Sequence, residues 1–140
     1  MSGQPIPIQT ALVYVMILTS AADRQMGNGE LARIGELVRR WPIFTGFNQE
    51  MLVPMAEDCA LIVAEDKGVQ TILGLIEQAI PETHADTAYL LACEVAAIDS
   101  NLVSSEIQVL DLLRQRLGID RLTAAALERS AIARNRKLEA

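Results

Sequence analysis

A chain of 140 residues carrying 12 basic against 18 acidic side chains, with 51% hydrophobic and only 4% aromatic residues, is the size of one domain able to bury a substantial core. Its net charge of −6 opposes nucleic-acid binding, and its aliphatic composition, led by Ala and Leu, favours helices packed on helices over strands. The expected fold is therefore all-α, with residues 1–140 forming a single helical domain.

Residues 1–9 read as an extended N-terminal segment without a basic stretch ahead of an apolar one, so no secretory signal is expected and a cytoplasmic location is. Breakers at Gly27, Gly29, Pro42, Gly46, Gly68, Pro81, Asn101 and Gly118 then divide the chain into about seven helices. These are expected at 10–23, 28–41, 48–66, 69–79, 84–99, 104–117 and 120–136.

The first helix is apolar on nearly every face from Ala11 to Ala22. It is interrupted by Thr19 and Ser20 and is shorter than the roughly 18–20 residues that a bilayer span requires. It is expected to be a buried central helix, and the chain not to be an integral membrane protein. The second helix leads into the segment Arg39 to Phe47, which contains the only Trp and both Phe. This reads as an aromatic plug over the bundle rather than an exposed anchor.

Pro54 interrupts the third segment, because it removes a backbone donor and crowds the preceding turn, and a break is expected near Val53. The fifth helix repeats the all-round apolar character of the first. The sixth is amphipathic, with Ile107, Leu110, Leu113 and Leu117 expected on its covered face. Residues 126–140 form a mildly basic helical end, in which Arg129, Arg134, Arg136 and Lys137 read as solvated. Cys59 and Cys93 lie in apolar helical patterns without a Cys-x-x-Cys spacing and read as buried, reduced thiols.

A shift of 76 residues lays the first helix on the fifth and the second on the sixth. Asp23 then meets Asp99, Glu30 meets Glu106, Ala21 meets Ala97 and Arg40 meets Arg116. Each half has an Asp closing an apolar helix and a Glu seven residues later, in the first turn of the next. The halves are therefore read as a duplication with pseudo-symmetry. An Asp at a helix C-terminus lies against the negative end of the macrodipole. A hard divalent cation, Ca²⁺, Mg²⁺ or Mn²⁺ in preference to Zn²⁺, would relieve that repulsion through four carboxylates. Equally, a first-turn Glu is favoured by the dipole, and Asp suits interhelical turns, with no ion present.

The segments from Ala21 to Glu30 and from Ala97 to Glu106 resemble the paired A-x-D-G-x-[aliphatic]-[Ser/Thr]-x-x-E segments of TerB-like tellurite-resistance domains. The likeness covers about residues 10–125. Arg24 and Ser100 stand where the pattern has Gly, and Gly27 and Val103 where it has Ser or Thr. The resemblance implies a TerB-like helical bundle with an acidic metal cluster at Asp23, Glu30, Asp99 and Glu106. It further implies a bacterial stress-response role exercised through protein partners, some of them membrane-associated, and no enzymatic activity.

Two rivals stand beside that expectation. One is a metal-free helical adaptor whose acids are solvated or paired to Arg24, Arg40 or Arg116. The other is a metal-dependent hydrolase, which lacks an evident base. The single histidine, His84, has no Glu three residues before it, so it cannot build a ferritin-like di-iron site.

Overall fold

The computed structural model of the protein describes residues 5–21, 28–97 and 104–138, the side chains of 28 and 104–106 excepted. Among these residues there are seven α-helices and no strand: α1 (Ile8–Ser20), α2 (Asn28–Arg40), α3 (Leu52–Val63), α4 (Gly68–Ala79), α5 (Ala85–Ala96), α6 (Ser104–Leu117) and α7 (Arg121–Arg134). No helix is long and apolar enough to cross a membrane among the described residues.

The two all-apolar helices form the centre, as the absence of a polar face requires. Every residue of α1 from Ala11 to Ser20 is buried, and α5 is buried over most of its length. The two pack directly on one another. α3 and α4 cover α1 on one flank, α7 covers α5 on the other, and α6 lies across both central helices.

The 76-residue shift survives in the structure. It carries α1 onto α5 within a residue at its start and α2 onto α6 within a residue at its end. The two central helices also end alike. The backbone N–H of Ala21 donates to the carbonyls of Ile17 and Thr19, and that of Ala97 to those of Cys93 and Val95, both residues holding right-handed helical dihedrals.

Local chemistry accounts for the other boundaries. Pro54 is the third residue of α3, in the first turn, where a missing N–H costs no intrahelical bond. The break therefore falls just ahead of Val53, at a 3₁₀ turn over Gln49–Met51 that Asn48 caps by accepting from the Glu50 N–H at 3.0 Å. Asp120 caps α7 by accepting from the Thr123 N–H at 3.1 Å, an ordinary N-cap bond. Between α3 and α4, Lys67 adopts φ 59°, and a Cβ on Gly68 would lie 2.0 Å from the Ile62 carbonyl oxygen. Only glycine permits that approach.

The aromatic segment is a plug. Phe44 is buried, Trp41 and Phe47 pack against the core, and the two Phe rings meet edge to face at 5.7 Å. Gln9 at the start of α1 fastens it, donating to the carbonyls of Ile43 and Thr45 at 3.2 Å each. On α6, Leu110 and Leu113 are buried as the pattern predicts, but Ile107 is half exposed. Beyond Ile107 the helix packs on the core through Val109, Leu112 and Leu117 as well.

Candidate functional site

Glu30 and Glu106 are each the third residue of their helices, α2 and α6, so both lie in a first turn where the exposed N–H groups favour a carboxylate. Glu30 is half-buried. The Glu106 side chain, Asp23 and Asp99 lie outside the described residues. The structure thus places the two Glu backbones at the same position of two helices, each of which follows, in the chain, a central helix that ends in the same cap. Among the described residues no group of three or more His, Cys, Asp or Glu stands ready to hold a metal.

The donor chemistry fits a hard cation, since all four acids offer only oxygen. A further oxygen stands at the end of α1. Ser20 is wholly buried, and its Oγ has no hydrogen-bond partner among the described residues, a situation that costs free energy unless relieved. Arg116, one of the cations near these helices in sequence, has partners on α4. It donates to Glu77 at 3.1 Å and to Gln70 at 2.5 Å.

The most developed polar arrangement in the described fold was not anticipated. Glu94, in the last turn of α5 and only 1% exposed, accepts from Arg33 Nη2 on α2 at 2.7 Å, from Arg134 Nε on α7 at 2.8 Å and from Asn135 Nδ2 at 3.0 Å, with a further contact from Arg134 Nη2. Arg33 Nη2 also donates to Asn135 Oδ1 at 3.0 Å. A buried carboxylate is tolerated only when paired and hydrogen-bonded, and here two guanidinium groups and an amide meet that demand. Arg134 is thus an anchored residue rather than part of a solvated basic end, because the α5 carboxylate draws it inward.

The sequence held a signal for this: Glu94 is the one acid inside the apolar run of the fifth helix. Position 94 corresponds under the repeat to Leu18, and 33 to Val109, so the lock has no counterpart under the repeat. Beside it, a cleft of about 280 Å³ is lined by Gly29, Ala32, Arg33, Glu36, Asn135 and Lys137. That cleft reaches the first turn of α2, next to Glu30.

Neither cysteine is a nucleophile in this setting. Burial pushes the thiols of Cys59 and Cys93 up to about 12, so both are protonated at neutral pH. His84 sits in a 3₁₀ turn with its Nδ1 2.8 Å from Thr83 Oγ1.

Compared with protein-family models, with curated proteins and with solved structures, the chain gives no match.

Proposed function

We propose that this chain is a non-catalytic, TerB-like helical module of the cytoplasm that binds a divalent cation through Asp23, Glu30, Asp99 and Glu106 and acts in tellurite or related stress resistance through protein partners. The observation that carries the reading is the equivalent placing of Glu30 and Glu106 at the starts of α2 and α6. Each of these helices follows, in the chain, a central apolar helix with the same C-terminal cap, and each has Glu as its third residue. Acids repeated at two equivalent helix starts would supply the oxygen ligands that a shared hard-cation site requires. A bound ion would fix the two halves relative to one another and so set the surface that partners read.

Calorimetric titration of the EDTA-treated protein with CaCl₂, MgCl₂ and MnCl₂ tests this directly. Saturable binding of one ion, weakened strongly in Asp23→Asn and in Asp99→Asn, is the expected result. No binding of any ion overturns it.

A metal-free adaptor is the second reading, favoured by the Glu94 lock. Arg33 and Arg134 fasten α2 and α7 onto α5 without calling on an ion. On that reading, charge-neutralising changes at the two Asp residues leave stability unchanged or improved.

A further inference from the structure

The exposed faces of α3 and α7 are complementary in charge and in relief. On α3, Val53, Glu57 and Leu61 follow at four-residue intervals along one outward stripe, with Asp58 and Ala60 beside it. Val53 is 50% and Leu61 68% exposed, far more than helix residues whose face is covered. Glu50 just ahead of the helix and Glu65 and Asp66 just after it are exposed too, and among the described residues none of these five acids forms an ion pair.

The outward face of α7 has the opposite character. Arg121, Leu122, Ala125, Ala126, Arg129 and Ala133 are all exposed and share one side of the helix. Leu122 is 80% exposed. The alanines leave a shallow track that another helix can approach closely. Neither Arg121 nor Arg129 forms an ion pair among the described residues. The spacing also agrees: Val53 to Leu61 spans about 12 Å of helix and Leu122 to Arg129 about 10 Å.

One molecule cannot bring these faces together, since α3 lies on the α1 flank of the central pair and α7 on the α5 flank. We propose that the chain associates head to tail, the acidic apolar face of α3 on one molecule docking on the basic, alanine-rich face of α7 on a second copy. Such an interface joins two different surfaces, so it leaves one free partner face at each end and continues into a ring or filament. A single helix face on each side is at the small end of specific interfaces, so the association is weak and depends on charge. It is independent of the junction acids and of any ion.

Sedimentation velocity across a concentration series, in EDTA, tests the proposal. The wild type is expected to show reversible growth in sedimentation coefficient at about 0.05 M salt that disappears near about 0.5 M. Glu57→Arg and Arg129→Glu, both at exposed positions, each leave helix content unchanged and abolish the growth. Mixing the two variants restores it, because each supplies the charge the other now needs on both of its faces. A wild type that stays monomeric at low salt overturns the proposal. So does growth that neither substitution affects, or loss in each variant without recovery in the mixture. Repeating the series with Ca²⁺ separates this result from the metal reading, since the expected growth is the same with and without the ion.

Discussion

Arg134, the last residue of α7, reaches Glu94 in the last turn of α5 and donates to its Oε2 through Nε at 2.8 Å, while Arg33 of α2 holds Oε1 at 2.7 Å. The carboxylate is thus gripped on both oxygens by two helices distant in sequence. Breaking a buried pair costs more than forming it contributes, because the remaining charge is left without compensation. Glu94→Ala is therefore expected to lower unfolding free energy by about 3 kcal/mol. Arg134, half exposed, can be replaced by Ala at a smaller cost of about 1 to 2 kcal/mol, since Arg33 and Asn135 remain on the carboxylate. Urea denaturation of the three proteins checks the order; equal losses in both variants would contradict it.

The turn between α3 and α4 leaves no room for a side chain at Gly68. Gly68→Ala would drive a Cβ into the carbonyls of Ile62 and Val63, at 2.0 and 2.6 Å, and is expected to prevent stable folding. Lys67→Gly relieves the left-handed φ of 59° and should stabilise by about 1 kcal/mol. Thermal unfolding of Lys67→Gly and soluble yield of Gly68→Ala read these opposite effects.

The two thiols contribute to alkaline stability. Folded Cys59 and Cys93 keep their protons to about pH 12, whereas the ordinary thiol value is 9.0. Below pH 9 both states are protonated and the thiols have no effect. Above it the unfolded state alone releases protons, so stability falls by about 1.4 kcal/mol per pH unit for each thiol until the folded thiols ionise. Replacing both by Ala should flatten the fall of the unfolding midpoint between pH 9 and pH 12. An unchanged slope would show that the thiols do not contribute.

At the acid end the α7 cap is a responsive group among the described residues. The Thr123 hydroxyl and N–H beside Asp120 hold its carboxyl below the usual value of 3.8. Its stabilising contribution is complete above that value and disappears as pH falls through the folded value. Asp120→Ala should lower the unfolding midpoint at pH 7, and the difference from wild type should vanish at the lowest pH. Asp120→Asn, which keeps the cap, should behave as wild type at pH 7.

Most of the fold was legible in the sequence because its signals were local. Glycine and proline bounded the helices to within a few residues, and continuous apolar runs marked α1 and α5 as central. What was not legible depended on three-dimensional meetings. Glu94, Arg33 and Arg134 stand 40 or more residues apart, and nothing in their spacing joins them; only the isolation of an acid in an apolar run hinted at burial. Ile107 fits the periodicity of α6 but lies too near the start of the helix to reach the core. Of the candidate site, the register of Glu30 and Glu106 at two equivalent first turns agrees with the repeat. Asp23 and Asp99 lie outside the described residues.

The most direct measurement is the thermal unfolding midpoint after EDTA treatment, with Ca²⁺, Mg²⁺, Mn²⁺ and Zn²⁺ added back separately, for wild type and for Asp99→Asn. An ion bound only by the folded state stabilises it by about 2.7 kcal/mol at a hundred times its dissociation constant, a rise of roughly 5 to 10 °C for a domain of this size. Such a rise with one hard cation, absent in Asp99→Asn, is the predicted result. A midpoint that no ion moves would contradict the metal reading and leave a helical adaptor held together by Glu94.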